Sequence, residues 1–430
     1  MKSWVGLEPP PNDLLPAVKG LYPEQALLSE AEWDVLRTHY VAQARPEEPS
    51  PSPALKVTDQ FQAEPLTVPF GPQCMAVYWD KPLRQLWVGH AGERKVFVRE
   101  SEGNWNAGMD WGGVPARFMA RPDAMLAVLM PGYLPGAGGG PAKGKLVQWK
   151  QGNVQVLAER LNRPTDLWQG TLRAGQPSAM LWGEFGGSIG GVTMLEEHGR
   201  TQWLDWPGVV KLEVADFDGD ERLDLVALCG QEKESVVLLR SEADGNRTME
   251  VQLTRHPAWG YTHLEVVDFN QDGHPDLVVT NGDNGDLANG QPRPFHGVRI
   301  CLNNGKGRFA ESTFLPMNGA TQAKSGDFDG DGDLDVVAIA HYADFEQTPG
   351  RAAMLFRQEA DGRFTEWELP GAAKGRWLTM TAGDLDQDGD EDLVLAALNG
   401  GPGVGQVPAA LRRSWVAEPV ALMLLRNRAK

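Results

Sequence analysis

Cysteine is nearly absent: the 430 residues hold three, Cys74, Cys229 and Cys301. Each lies in or beside an apolar run, which points to buried free thiols rather than a disulfide framework. No stretch of eighteen apolar residues occurs, so no helix is expected to span a membrane. Basic residues are in deficit, 40 against 58 acidic ones, for a formal net charge of −18. No basic run offsets this, which argues against nucleic acid as a partner. HExxH, a phosphate-cradling loop and CxxCH are all missing. GGSIG at 186–190 lacks the strand–turn–helix setting of a nucleophile elbow. No secretory leader follows Met1.

What the chain has is aspartate at fixed spacing. Residues 327–335 read DFDGDGDLD, and VVAIA follows. Carboxylates this close repel one another unless a cation sits among them. The pattern D-x-[DN]-x-[DN]-G supplies oxygen ligands to calcium, with glycine where the backbone turns sharply. Here Asp327, Asp329 and Asp331 hold positions one, three and five. Asp333 offers its carbonyl at seven, and Asp335 closes the site at nine.

Three further copies share the register. DFDGDERLD supplies Asp216, Asp218, Asp220, Arg222 (by its carbonyl) and Asp224. DFNQDGHPD supplies Asp268, Asn270, Asp272, His274 (again by its carbonyl) and Asp276. DLDQDGDED supplies Asp384, Asp386, Asp388, Asp390 (carbonyl) and Asp392. The first of these has Glu221 at position six in place of glycine, so it is expected to be the weakest. About four Ca²⁺ are expected. They would offset part of the charge.

An EF-hand opens alike but needs a bidentate Glu at position twelve and flanking helices. Position twelve is Ala227, Val279, Ala338 or Leu395. Each loop instead runs into a short apolar, β-branched segment, which reads as a buried strand. The copies lie 52, 59 and 57 residues apart. An all-strand repeat of that length predicts propeller blades. Third strands are expected at 235–240, 298–303, 353–358 and 422–427, and fourth strands at 308–316 and 363–371.

The last blade lacks its fourth strand, and FQAEPLTVP (61–69) has the matching pattern near the other end. The 367 residues from Phe61 to Asn427 divide into seven units of about 52. The fold class predicted is therefore all-β: a seven-bladed propeller over 56–430, its last blade closed by the N-terminal strand. Calcium-loop blades begin near 211, 263, 322 and 379. Three degenerate blades come first. There Asp166 is at most a remnant of an acidic loop, and it is assigned no metal.

Residues 1–55 form an extension. Ser29 and Glu32 make a capping box, and a helix is expected from Glu30 to about Ala44. Its stripe of Trp33, Leu36, Tyr40 and Val41 suits packing on the propeller, or docking of a partner. A Pro-rich linker, 44–55, follows.

The DxDxDGxxDL loops resemble the FG-GAP/VCBS repeat family, as in integrin α-subunit heads. VTNGDNGD (279–286), PFHGVRICLNNGKGRF (294–309) and GRWLTMTAGDLDQDGDED (375–392) look most like bacterial, typically exported VCBS-repeat proteins. The resemblance implies a calcium-binding propeller and no particular activity. Without CxxCH it brings no haem.

Loops on the face opposite the metal loops are long: 131–145, 281–297, 341–351 and 399–419. They gather Asn281, Asp283, Asn284, His296 and His341. Blade junctions add Trp259, Tyr261, Asn318, Arg376 and Trp377. Such a mixture suits a protein or carbohydrate ligand. The alternative is an extracellular carbohydrate-active enzyme, a lyase or hydrolase using His and Asp of this face. His90, His256 and His263 read as ordinary loop residues. Calcium loops of this kind suit millimolar calcium, so an extracytoplasmic location is expected, with the leader absent from this numbering.

Overall fold

A computed structural model describes residues 7, 25–43, 55–132, 143–172, 178–186, 190–196, 199–230, 234–285 and 292–429. The chain divides into two units, Met1–Pro53 and Ala54–Lys430.

In the first unit, helix α1 spans Glu30–Gln43. Its capping box forms as the sequence spells it. Ser29 Oγ accepts the Glu32 N–H at 3.2 Å, and Glu32 Oε2 accepts the Ser29 N–H at 2.8 Å. The Tyr40 and Val41 side chains and linker residues 44–54 lie outside the described residues.

The second unit is seven four-stranded antiparallel sheets. Blades one to three begin with Cys74–Asp80, Val114–Arg121 and Pro164–Gly170. Blade four is Val209–Ala215, Asp224–Cys229, Glu234–Ser241 and Arg247–Arg255. Blade five is Tyr261–Val267, Asp276–Asn281, Gly297–Asn303 and Phe309–Pro316. Blade six is Ala320–Gly326, Asp335–Ala340, Ala353–Gln358 and Phe364–Glu368. Blade seven takes Trp377–Gly383, Asp392–Ala397 and Leu422–Asn427, and its fourth strand is Phe61–Pro65.

The closing strand pairs antiparallel, Phe61 opposite Asn427 and Pro65 opposite Met423. It is shorter than the 61–69 expected, although Leu66 still donates its N–H to Leu422 O at 3.0 Å. First strands of successive blades touch all the way round, blade seven meeting blade one. Ring closure leaves no blade without neighbours. The second strands of blades four to seven are buried at every position. Blades cover both of their faces, so the usual in–out alternation disappears.

Three readings from sequence are corrected by this arrangement. Asp166 is not a loop remnant. It sits in the first strand of blade three, buried, 3.1 Å from Arg117 Nε and 2.9 Å from Lys211 Nζ on neighbouring first strands. There it joins three blades and is held as a carboxylate by those two cations. His90 and His263, read together as loop residues, likewise belong to strands, the second of blade one and the first of blade five. The 399–419 segment is also no plain loop: Ala409–Ala417 forms helix α2. Trp415 of α2 is buried, donates to Ala373 O at 2.8 Å and meets Phe345 edge-on at 5.4 Å.

Candidate metal centres

Each acidic loop joins strands one and two of its blade, and all four take one backbone path. Position four is left-handed in every copy: Gly219, Gln271, Gly330 and Gln387 have φ of 77°, 58°, 79° and 70°. Position six is left-handed too, with Glu221 at 66°, Gly273 at 88°, Gly332 at 97° and Gly389 at 101°. Glycine enters this region at no cost, whereas Glu221 enters it under strain.

The position-one carboxylate organises the turn. Asp327 accepts N–H groups from Gly330 at 2.8 Å and Gly332 at 3.1 Å. Asp216 does the same with Gly219 and Glu221, both at 2.8 Å. Asp268 takes Asp272 at 3.0 Å and Gly273 at 2.8 Å, and Asp384 takes Gln387 at 2.6 Å. Position five accepts from position seven, as in Asp331 from Asp333 at 2.9 Å. The N–H groups of Arg222 and His274 bond to Asp220 and Asp272, each at 2.9 Å, and the Arg222 guanidinium turns back onto Asp220.

Position nine is a buried staple. One oxygen of Asp335 accepts the Phe328 N–H at 3.2 Å, and the other accepts Gln358 at 2.8 Å. Asp224, Asp276 and Asp392 repeat the arrangement, with Ser241, Asn303 and Asn427 as the strand-three donors. Burial lifts the Asp335 carboxyl to about 7, and Asp329 beside it adds to the rise. Burial likewise lifts Asp224 to about 6. Asp276 and Asp392 are raised for the same first reason.

Three loops draw three carboxylates together. Oxygens of Asp216, Asp218 and Asp224 lie within 4.8 Å of one another, as do those of Asp327, Asp329 and Asp331, and of Asp384, Asp386 and Asp392. Calcium–oxygen distances of about 2.3–2.6 Å place ligands across an ion roughly 5 Å apart, so these groups fit it. Blade five forms no such triple among the described residues. There the Asn270 amide donates to Asp272 at 3.0 Å and occupies it.

The propeller is assigned by these loops. Residues 216–279 and 281–338 match the FG-GAP-like repeat. The chain is a seven-bladed propeller that carries FG-GAP-like repeats across its fourth to sixth blades. A comparison with curated proteins finds no match. Among solved structures, a streptogramin B lyase is similar in fold: TM-score 0.54, 11% identity, covering 86% of this chain and 98% of the other. An inactive virginiamycin B lyase from Staphylococcus aureus, solved with quinupristin, has TM-score 0.50 and 10% identity, covering 86% and 100%. These likenesses concern the fold.

On the opposite face of the propeller, most of the residues singled out from sequence are enclosed. Asn281, Asn284, His296, His341, Arg376 and Trp377 are buried. Arg376 donates to Gly400 O at 2.9 Å, Pro402 O at 2.7 Å and His341 O at 3.3 Å, pinning three segments together. Trp377 donates to Ala372 O at 2.7 Å, and Asn281 to Trp259 O and Phe295 O at 3.0 and 3.1 Å. Asn318, half-buried, bonds the Arg293 N–H and Tyr342 O. Trp259 stacks on Phe295 at 5.2 Å, and Tyr261 is buried. Asp283 is exposed. Residues 133–142 of the 131–145 loop and 286–291 of the 281–297 loop lie outside the described residues.

Sequence reasoning passed over a cleft of about 510 Å³ on this same face, where blade seven meets blade one. Gln73, His90, Glu93 and Asn399 line it between Gly71, Gly92 and Gly400. His90 has both ring nitrogens engaged, with Gly71 O at 3.1 Å and the Glu93 N–H at 3.0 Å. Asn399 is oriented by accepting the Arg376 N–H at 2.8 Å, and its amide nitrogen is buried without a partner. Only ring closure creates this seam.

Proposed function

We propose that the protein is a calcium-binding propeller that serves as an extracytoplasmic binding or scaffolding module. The observation that carries this is the repeated loop: four copies with one backbone path, three of which gather three carboxylates each. Calcium would be held by positions one, three, five and nine and by the carbonyl of position seven. Bound there, it supplies charge neutralisation and locks the turn between strands one and two. Millimolar calcium outside the cytosol suits such sites.

The ligand is a protein or a carbohydrate, taken on the face opposite the metal loops. The seam cleft supports this: Gln73 and Glu93 offer acceptors, and Asn399 a donor, in a hollow of sugar-sized volume. The enzyme reading is the weaker one, because His296 and His341 are buried. Glycan and peptide arrays probed in calcium and in chelator test the proposal. Binding of one ligand class that Glu93→Ala abolishes is the expected result. Turnover of acidic polysaccharides that disappears in His296→Ala or His341→Ala would replace binding with catalysis.

A further inference from the structure

The third strand of each calcium-loop blade ends with the residue whose N–H holds the position-nine carboxylate: Ser241, Asn303, Gln358 or Asn427. The residue just before it is Arg240, Leu302, Arg357 or Arg426. Each of the three arginines turns to the position-three carboxylate of its own loop. Arg240 pairs closely with Asp218, Arg426 Nη1 lies 2.7 Å from Asp386, and Arg357 Nε lies 3.8 Å from Asp329. Blade five has no arginine there, and its position three is Asn270, which carries no charge to balance. Cation and anion are thus present together in three blades and absent together in the fourth.

We infer that Arg240, Arg357 and Arg426 are built-in cations that compete with calcium for the position-three carboxylate and so set the affinity of each loop. The inference rests on the metal reading above. Without the ion, the arginine neutralises part of the loop and keeps the turn closed. With the ion, a positive charge remains a few ångströms from it, or the guanidinium is displaced into solvent. Either way binding is weakened. The loop of blade four carries a second such device, since Arg222 pairs with Asp220. It is the loop least in need of calcium for its shape.

The competition is graded by contact. Arg240 also bonds Glu250 at 3.4 Å, and Arg426 also bonds Glu64 at 3.2 Å, so both are held at their posts. Arg357 is shared with Glu359 at 3.2 Å and touches its loop most loosely.

Calorimetric titration of the full chain with CaCl₂ after chelation, and melting in chelator, test the inference on Arg240→Leu, Arg426→Leu and Arg357→Leu. Leucine is what blade five already carries. Each variant is expected to tighten one binding step, by on the order of tenfold where the contact is closest. The gain should fall in the order Arg240, Arg426, Arg357, and the first two should melt lower than the parent in chelator. Arg357→Leu removes the loosest contact, so it guards against a variant that fails to fold. Unchanged affinities in all three overturn the inference while leaving the calcium sites standing. A parent chain that binds no calcium overturns both.

Discussion

Asn427, near the end of the chain, donates its N–H to Asp392 Oδ1 at 2.9 Å, and its side-chain amide reaches Phe328 O of the preceding blade at 2.8 Å. Asn303 repeats this in blade five, holding Asp276 at 2.7 Å and Phe217 O at 2.9 Å. The acidic loops of blades five and seven are therefore structural joints between strand three and the neighbouring blade, quite apart from any ion. Their position-nine aspartates should matter to the fold even in chelator.

Asp335→Ala leaves the N–H groups of Phe328 and Gln358 buried without acceptors. Each such loss costs about 1–3 kcal/mol. Chemical denaturation in chelator should show a loss of that order. Asp333→Ala, whose side chain serves neither bond, should lie close to the parent. Equal losses in the two would show that inward and outward residues have been misassigned.

Glu221 holds a left-handed φ of 66° where the other loops have glycine. Glu221→Gly should stabilise the protein by about 1 kcal/mol. The reverse test is Gly332→Ala. A Cβ at Gly332 meets nothing within 4 Å, so only its φ of 97° opposes the change. Melting in chelator should rise in the first variant and fall in the second.

The repeated loops were legible in sequence because their acidic positions keep a fixed spacing, and Dx[DN]xD survives in every copy. The closing strand was legible because LMLLRN at 422–427 stood without a fourth strand. Asp166 was misread because an aspartate amid apolar residues looks the same in a loop and in a strand; its partners, Arg117 and Lys211, lie on other blades. Helix α2 was missed because GGPGVGQVP precedes it, and only AALRRSWVA carries the helical signal. Arg376 and His341 looked available because sequence does not show which loop carbonyls need donors. The pairing of Arg with Asp, and of Leu302 with Asn270, was readable from the aligned repeats once strand three was known to end beside position three.

Residues 61–65 complete blade seven from the far end of the chain. Phe61 also meets Phe328 edge-on at 5.9 Å. Deleting 1–68 should therefore uncover strand Leu422–Asn427 and produce oligomers or aggregates, whereas deleting 1–45 should leave a monomer. Light scattering and melting of both truncations check this. Like behaviour of the two would contradict strand closure.

Glu234 is buried and accepts the Tyr261 N–H at 2.5 Å. Burial pushes its carboxyl up from 4.5 to about 8, with Asp283 adding to the rise. Between those values the folded chain keeps a proton that the unfolded chain gives up. Stability is therefore full below about pH 4.5 for this group and falls as pH rises toward 8, by at most about 1.4 kcal/mol per unit. Glu234→Gln should flatten that decline, read as denaturation midpoints from pH 5 to 8.5. A decline of the same slope in the variant would place its origin elsewhere.

Calcium stoichiometry tests the central claim most directly. Titration of the chelated full chain should count close to four ions, with the loop of blade four weakest because of Glu221, Arg222 and Arg240. Melting temperature should climb with free calcium, since each site contributes about 2.7 kcal/mol at a hundredfold excess over its Kd. A count of zero or one, with melting indifferent to calcium, would contradict the account and leave the aspartates as joints alone.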